Sequence, residues 1–248
     1  MLTRLSGCVS ITPSMEYFTF RKVDADEKDL MQQIFKLRFQ VYCRECGFIR
    51  EEDYPECFER DEYDAQSIHF AAINGTGELV GTMRIILPGA LLLPIERHCP
   101  SIQIKPDPLP GMGYAEISRL VISKQLRRRR DDQMYYEPQV EDKKVEGSNA
   151  EYLRRAKPMA FGLYREMYQE SKRRGISYWY ALMEKSLWLL LRIHGFRFDC
   201  IGEEIDVYGP VRPYLGKIPI MEQEVRRKFP KFFDYFTESL DHSTLTKE

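Results

Sequence analysis

Residues 67–86 read SIHFAAINGTGELVGTMRII and contain the clearest fold signal in the chain. Two runs rich in apolar and β-branched residues, 67–73 and 78–86, flank Asn74-Gly75-Thr76-Gly77. Asn and Gly adopt the left-handed backbone conformations of tight turns at little steric cost, so a short Asn/Gly segment between two such runs is typical of a hairpin. The sequence therefore predicts an antiparallel pair of strands here.

On the N-terminal side, the segment 16–23 (EYFTFRKV) alternates enough to be a strand. The segment 24–27 then offers acidic residues for the first turn of a helix. Apolar residues recur along that helix at steps of four, three and four, which predicts one buried stripe. They are Leu30, Ile34, Leu37 and Val41. Gly47 is expected to end the helix.

On the C-terminal side, a Pro-rich loop at 87–112 precedes YAEISRLVIS (114–123), a strong strand pattern. The almost wholly polar segment 124–150 is interpreted as an exposed loop. A second helix then runs to about Arg174, with Gly175 at its end.

The remaining elements are predicted as a buried strand, a short helix capped by Gly195, one or more last strands and a terminal helix. They occupy 176–183, 185–194, 196–209 and 221–237. The resulting order β-α-β-β-β-α-β-α-β predicts an α/β (α+β) fold, with a mixed, mostly antiparallel central sheet and helices on both faces. One domain is expected over 1–248, with inserted loops at 87–112 and 124–150 and a C-terminal helical extension at 221–248.

Composition narrows the function classes. The 248 residues include 37 Lys+Arg and 38 Asp+Glu, for a net charge of -1, which argues against a protein built for overall electrostatic adhesion to nucleic acid. Mean hydropathy is -0.46 and the longest apolar run spans 187–191, far below the roughly 20 residues of a membrane span. Six scattered cysteines and no recognisable secretory signal predict reduced thiols in a cytoplasmic protein, with no stable membrane insertion.

The order of elements resembles that of the GNAT N-acyltransferases, and four short stretches sharpen the likeness. They are LRFQVYCRECGF (37–48), ERDEYD (59–64), GTMR (81–84) and EISRLVIS (116–123). Together, within residues 16–125, they resemble the acyl-homoserine-lactone synthases, a branch of the GNAT fold that depends on an acyl carrier protein. The residues that match that family's pattern are Arg38, Tyr42, Asp61, Asp64, Arg84, Glu116 and Arg119.

The later part of the chain looks like the related N-acyl amino acid synthases. The resemblance lies in residues 163–198 and in GPVRPYL (209–215). It is closest to the acyltransferases associated with the PEP-CTERM/exosortase system.

Three departures qualify the likeness. Phe48 stands where the lactone synthases have Trp, which weakens the case for S-adenosylmethionine as acceptor. The stretch directly after Ile122, SKQLRRRRDD (123–132), contains no glycine, although the GNAT turn that cradles CoA phosphates is Gly-rich, and this favours a carrier-protein thioester over acyl-CoA as donor. Many GNATs also place a Tyr general acid four residues before a Gly-Phe pair, and here Leu191 occupies that position.

Acyl transfer to an amine needs a base for the ammonium proton, and Glu116 is the candidate, with Arg119 as a second catalytic residue. On a regular strand Glu116 and Ser118 share one face and Arg119 points to the other. A β-bulge, which the GNAT resemblance implies, would re-aim these side chains. It would also free backbone N–H groups for the thioester of the donor. The residues concerned are Leu120, Val121 and Ile122.

The acceptor is expected to contact charged and aromatic residues from several stretches, since an Arg fork binds a carboxylate in two places. These residues are Arg38, Tyr42, Phe48, Asp61, Asp64, Arg84 and Ser118. The alternative for the charged ones is a structural salt-bridge lattice. A basic run is expected to steer the acidic carrier protein, with a solvated loop as the alternative. It consists of Arg127, Arg128, Arg129 and Arg130.

Other interpretations are weaker. Cys43 and Cys46, with Cys57 and His69, invite a zinc site, but a second close pair of ligands is missing, so no metal and no bound cofactor are predicted. The leading hypothesis is an N-acyltransferase that uses acyl carrier protein, or alternatively acyl-CoA, and a small amine. The first alternative is a lactone synthase that uses S-adenosylmethionine. The second is a non-catalytic module that binds acyl groups or nucleic acid.

Overall fold

The predicted hairpin lies inside a mixed sheet in the computed structural model, which describes residues 18–102, 113–123, 148–241 and 245. The strands are β1 (Thr19–Lys22), β2 (Ser67–Ile73), β3 (Leu79–Ile86), β4 (Gly113–Ile122), β5 (Ile176–Met183), β6 (Phe198–Cys200), β7 (Ile205–Asp206) and β8 (Pro210–Lys217). The helices are α1 (Lys28–Phe39), α2 (Pro94–His98), α3 (Ser148–Arg173), α4 (Lys185–Ile193), α5 (Ile218–Lys228) and α6 (Pro230–Thr237).

The strands follow the order β1-β2-β3-β4-β5-β8-β6, and β7 pairs with β8. All neighbours are antiparallel except β4 and β5, which run parallel. This parallel pair is short. It extends from Gly113 beside Ile176 to Ile117 beside Ala181, and the rest of β4 pairs with β3 alone. The sheet is therefore open between the ends of β4 and β5.

Apolar side chains on both faces of β2 explain why helices cover both faces of the sheet. Ala71 packs with Ile34 of α1, whereas the neighbouring Phe70 belongs to the main core with Leu163 of α3. Successive side chains of a strand point to opposite faces, so α1 and α3 lie on opposite sides of the sheet. The expected mixed, mostly antiparallel sheet with helices on both faces is confirmed.

Helix α1 ends in a π-helical turn, Gln40–Glu45, followed by Gly47 at φ +66°. The N–H of Phe48 donates to the Tyr42 carbonyl at 2.8 Å across this turn. Gly47 thus ends the helix, as its sequence position predicts, because a left-handed residue is needed there. The turn presents Tyr42 and Phe48 to one end of the sheet.

Three sequence predictions need correction. The last strands were predicted within 196–209, whereas the following segment, 210–217, forms β8 between β5 and β6 although it contains Pro210 and Pro213. The Pro213 carbonyl accepts a hydrogen bond from the Ile201 N–H at 3.0 Å. Proline lacks the backbone N–H donor but keeps the carbonyl acceptor, so it can still pair on this side. The predicted terminal helix is two helices separated at Phe229. The 87–112 loop contains α2, and its residues 103–112 lie outside the described part of the chain.

Among the residues that the structure describes, none of the helices combines the length and the apolar character that crossing a bilayer requires.

We predict that Gly162→Ala destabilises the protein although alanine is the better helix former. A Cβ at position 162 would overlap the Phe20 ring, where β1 packs against α3. Overpacking of this kind typically lowers the free energy of unfolding by about 1–3 kcal/mol, against a gain of about 1 kcal/mol in helix propensity. Denaturant unfolding measures the sum.

The matched test adds Phe20→Leu, which shortens the side chain that the new methyl group meets. The two substitutions together should cost less than the sum of the single ones. Additive effects would show that Gly162 and Phe20 do not contact each other.

Candidate active site

A cavity of about 1240 Å³ opens where β4 and β5 separate, and it passes between them from the α1 face to the α3 face. Glu116 and Arg84 line it on the α1 face, while Ile117 and Tyr164 belong to the core beneath α3. Since parallel strands that diverge expose unpaired backbone, the cavity also has polar edges. The N–H of Ser123 donates to the Val80 carbonyl of β3, so the N–H of the preceding residue, Ile122, points away from β3, to the side on which β5 no longer pairs with β4.

A β-bulge lies beside this gap. Between the cross-strand pairs Arg84–Ser118 and Thr82–Val121, β4 has one residue more than β3. Arg119 carries the irregularity at φ +55°, a conformation that non-glycine residues rarely adopt. On a regular strand the Arg119 side chain would face α3, but it contacts Glu59 and Asp61 on the other face. The expected bulge is confirmed, and it brings Arg119 to the same face as Glu116 and Ser118.

Glu116 is 2% exposed and lines the cavity. Its Oε2 accepts a hydrogen bond from the Ile95 N–H of α2 at 2.9 Å. Burial raises the pKa of Glu116 to about 8, although the Ile95 hydrogen bond and the positive charges of Arg84 and Arg119 oppose the shift. A carboxylate whose pKa lies in this range can take up a proton near neutral pH, as a general base must.

Beneath the cavity, three arginines and three carboxylates form a closed ring in which every charge has two partners of opposite sign. Arg38 bonds Glu59 and reaches Asp64 at 2.7 Å. Arg84 bonds Asp64 and reaches Asp61 at 2.6 and 2.7 Å. Arg119 closes the ring, with bonds to Glu59 at 2.9 Å and to Asp61 at 3.0 Å.

The ring is divided between the cavity wall and the interior. Asp61, Arg84 and Arg119 line the cavity. Arg38 and Glu59 are at most 1% exposed and, with Asp64, do not line it. For Arg38 and Asp64, this placement favours the structural lattice over direct contact with an acceptor.

Electrostatics within the ring keep it charged. Burial alone would raise the pKa of Asp64, but the Arg38 and Arg84 guanidinium groups hold that pKa at about 2. The neighbouring His69 has its Nε2 atom 3.7 Å from Asp64. Burial lowers the pKa of His69 to about 4, so the imidazole is neutral at pH 7, whereas Asp64 is charged.

Aromatic side chains form another part of the wall. Tyr42 stacks on Tyr208 at 6.3 Å between ring centroids and lies 6.2 Å from Phe48. The Arg119 guanidinium lies 5.5 Å from the Tyr42 ring and 5.2 Å from the Tyr208 ring. Tyr208 sits at φ +57° in the turn between β7 and β8, followed by Gly209 at φ +102°. The site therefore has an aromatic side next to its charged floor.

Sequence reasoning missed two of these residues. Glu59 begins the ERDEYD stretch, and its spacing of two from Asp61 was the available signal. Tyr208 directly precedes the GPVRPYL stretch but follows no periodic pattern. Of the backbone positions expected to hold the donor, Leu120 lines the cavity, while Val121 and Ile122 pair with β3.

The expected carrier-protein patch, Arg127 to Arg130, lies outside the described residues. Within the described ranges, no three His, Cys, Asp or Glu side chains are grouped so that they could hold a metal ion.

We expect Arg38→Ala to lower the free energy of unfolding by about 3–5 kcal/mol, since it takes one of two cationic partners from Glu59 and from Asp64 and leaves the buried ring with a net negative charge. Chemical denaturation at pH 7 measures the loss. Arg21→Ala is the control, because Arg21 also bonds a carboxylate with two nitrogens, on Glu27, but its side chain is 36% exposed. That surface pair should contribute less than about 1 kcal/mol. Equal losses at the two positions would contradict a buried ring.

Glu116→Gln is expected to change stability in a pH-dependent way. Below about pH 4.5 Glu116 is protonated in both states; from there to about pH 8 the unfolded chain releases this proton while the folded chain keeps it. Wild-type stability therefore falls across this window, by on the order of 5 kcal/mol. The glutamine variant escapes the fall and gains on wild type between pH 5 and 9.

Unfolding curves at both pH values measure this gain. The exposed Glu56→Gln corrects for a general effect of losing a carboxylate. A constant difference between Glu116→Gln and wild type would mean that Glu116 is ionised in the folded protein throughout.

Residues 37–137 match the family model of the acetyltransferase (GNAT) domain. No curated protein sequence matches the chain. Among solved structures, TofI in a complex with an inhibitor and MTA is similar at a TM-score of 0.59 and 16% identity, over 92% of this chain and 98% of TofI. FeeM, an N-acyl amino acid synthase from uncultured soil microbes, is similar at 0.57 and 15%, over 88% of this chain and 100% of FeeM.

BjaI, a CoA-dependent acyl-homoserine lactone synthase with SAM and isopentyl-CoA, is similar at a TM-score of 0.58 and 17% identity, over 90% of this chain and 89% of BjaI. At these identities the likeness to solved structures establishes a shared fold. The matched GNAT domain contains the whole of β2, β3 and β4, and with them Glu116. The chain thus combines a match to the GNAT acetyltransferase domain over residues 37–137 with a fold that it shares with an N-acyl amino acid synthase and an acyl-homoserine lactone synthase.

Proposed function

We propose that the protein is an N-acyltransferase that moves a fatty acyl group from an acyl carrier protein thioester to the α-amine of an amino acid or a similar small amine. One observation carries the proposal: Glu116 is a buried carboxylate in the cavity wall at the place where β4 and β5 separate. A base is needed there, because an amine arrives as an ammonium ion and must lose a proton before it can attack a thioester.

In the proposed reaction, the Glu116 carboxylate takes a proton from the ammonium group, directly or through one water. The nitrogen lone pair then attacks the thioester carbonyl, and the carbonyl electron pair moves onto oxygen. Backbone N–H groups turned into the gap stabilise this oxygen, since donors fixed in place cost no reorganisation. The nitrogen of the intermediate gives its second proton to water, and collapse then forms the amide and expels the thiolate of the carrier arm.

The acyl donor is proposed to enter between β4 and β5, with its tail against α3. The wall on that side is apolar, with Ile117, Ala181 and Met183 among its residues. Burying a hydrocarbon tail there is favourable by about 25 cal/mol per Å². An acidic carrier protein would suit the Arg127 to Arg130 run, and the PEP-CTERM/exosortase assignment rests on the sequence resemblance of residues 163–215.

The acceptor would occupy the α1 face, between Glu116 and the aromatic wall. Arg84 and Arg119 already share their charges with the ring, and Arg97 bonds Glu62 at 2.7 Å. Ring residues would therefore contact the acceptor as fixed donors and acceptors, while Arg97, 63% exposed in its side chain, has the freedom to exchange partners. Arg38 and Asp64 would hold this arrangement from behind.

Mass spectrometry of lipid extracts from cells that overexpress the chain tests the proposal. We expect new N-acyl amines with wild type and a loss of about 10²-fold or more with Glu116→Gln. Glu96→Gln is the matched control: Glu96 caps α2 next to the site but does not line the cavity, and its amide can still accept from the Leu93 N–H. With purified protein, the rate should rise with pH up to about 8, where Glu116 becomes ionised.

Equal product from wild type and Glu116→Gln would exclude Glu116 as the base. No acyl transfer by folded wild type supplied with carrier protein would contradict the proposed function.

A second candidate is an acyl-homoserine lactone synthase that uses S-adenosylmethionine. It gains support from the aromatic wall, because Tyr42, Phe48 and Tyr208 suit a sulfonium cation. Release of methylthioadenosine together with lactone products would establish this candidate over the first.

A further inference from the structure

Three arginines of the described residues line the cavity, and one of them stands outside the ring of buried charges. Arg84 and Arg119 each bond two carboxylates of the ring. Arg97, on α2, instead donates through Nη1 to one oxygen of Glu62 at 2.7 Å. Both side chains of this pair are more than half exposed, at 63% and 51%. Within the described wall, Arg97 is therefore the arginine that can change its partner without breaking a buried pair.

The difference in burial decides where a carboxylate that enters the cavity can bind. An exposed ion pair such as Arg97 with Glu62 contributes little to stability, because water solvates both groups when the pair separates. Drawing Arg84 or Arg119 out of the ring would leave a buried carboxylate with too little compensating charge, which is far more costly. The planar guanidinium fork also matches the two oxygens of a carboxylate. A carboxylate in the cavity is thus bound at the lowest cost by Arg97.

Helix α2 connects Arg97 to the candidate base. The Ile95 N–H of this helix donates to Glu116 at 2.9 Å, and Arg97 follows two residues later. Residues two apart in a helix have Cα atoms about 5.4 Å apart, a distance that an arginine side chain spans easily. In an α-amino acid the amine and the carboxylate are bonded to the same carbon. A group that binds this carboxylate must therefore lie close to the base, and Arg97 does.

The neighbouring His98, which also lines the cavity, shows which charges act on this edge. Burial lowers the pKa of its imidazole, and the positive charges of Arg97 and Arg119 lower it further. His98 is therefore mostly neutral at pH 7 and does not add a charge of its own. Two guanidinium groups act on the same edge of the cavity, which favours an anionic group of the substrate there over a second cation.

We propose that Arg97 binds the carboxylate of the acceptor, and that the acceptor is an α-amino acid whose carboxylate is free. The inference rests on the proposed function, because it concerns the amine that the enzyme acylates. Glu62 holds the guanidinium in place before the acceptor binds, and the carboxylate of the acceptor then replaces Glu62 in the ion pair. This contact places the α-amine next to Glu116. Arg97 thus determines which amines are acylated and takes no part in the transfer of protons or of the acyl group.

The test compares two acceptors with purified wild type and Arg97→Gln: the amino acid that wild type acylates fastest, and the carboxamide of the same amino acid. The carboxamide keeps the α-amine and the side chain but lacks the negative charge. We expect Arg97→Gln to raise KM for the acid by about 10- to 100-fold, with kcat within about threefold, because the ion pair is equally strong before and during the reaction. The carboxamide should react equally well with both proteins.

Glu62→Gln is expected to change the same quantity in the opposite direction. It removes the carboxylate that competes with the acceptor for Arg97, so KM for the acid should fall by up to about fivefold. KM for the carboxamide should not change, because that acceptor does not need the guanidinium. Arg97→Lys keeps the charge but loses the fork, and its KM for the acid should lie between those of wild type and Arg97→Gln.

Arg60→Gln is the matched control. Arg60 is also an exposed arginine that bonds an exposed carboxylate, on Glu56 at 3.1 Å, but it does not line the cavity. This variant loses a surface ion pair and a positive charge in the same way as Arg97→Gln. Its KM values for the acid and for the carboxamide should both equal those of wild type.

An unchanged KM for the acid in Arg97→Gln would overturn the inference, since another group would then bind the carboxylate. A loss that is equal for the acid and the carboxamide would overturn it too, because Arg97 would then serve the fold or the acyl donor. If wild type acylates neither amino acids nor their carboxamides, the proposed function fails and the inference fails with it. If wild type is active, only the assignment of Arg97 is under test.

Discussion

Six buried or partly buried charges of alternating sign form a closed ring that holds the floor of the cavity together. They come from α1, the segment before β2, β3 and β4, which are far apart in the chain. The partners are Arg38, Glu59, Asp61, Asp64, Arg84 and Arg119. Burying single charges would be prohibitive, and the ring is tolerated because each group has an opposite charge on both sides. It fixes four pieces of chain to one another without placing net charge under the cavity.

Closure of the ring depends on the bulge in β4. A left-handed residue other than glycine costs of order 1 kcal/mol or more, and Arg119 offsets this through its bonds to Glu59 and Asp61 and its contacts with two tyrosine rings. The same irregularity lies just beyond the last pair of β4 with β5, where the sheet opens. The local strain, the ring and the gap therefore occur together, and Glu116 sits beside all three.

The sheet divides the cavity into two chemical environments. On the α1 face the wall is charged and aromatic, which suits a polar amine and the proton that it must lose. On the α3 face the wall is largely apolar, which suits a hydrocarbon tail. In the reaction that we propose, the thioester carbonyl lies in the gap between these environments, with the amine on one side and the acyl tail on the other.

Local sequence patterns were enough to predict most helices and strands and to locate the polar stretches that form the site. The turn residues 74–77, the apolar stripe of α1 and the continuous apolar strand 176–183 specify their structures through contacts a few residues apart. Strand β8 was missed because its prolines contradict local preference, and pairing with β5 and β6 overrides that preference. The bulge that turns Arg119 to the face of Glu116 was expected from the family resemblance alone. The alternation of residues along a regular strand would have placed Arg119 on the other face.

The partners of the charged residues were decided by tertiary structure alone. ERDEYD and the three arginines are visible in the sequence, but whether they bind a substrate or one another depends on contacts between residues 20 to 60 positions apart. The same holds for Tyr164, a core residue of α3 that also lines the cavity. Only the opening of β4 from β5 turns that core position into a cavity wall, because exposure to a cavity is a property of the assembled sheet and helix and not of any local run of residues.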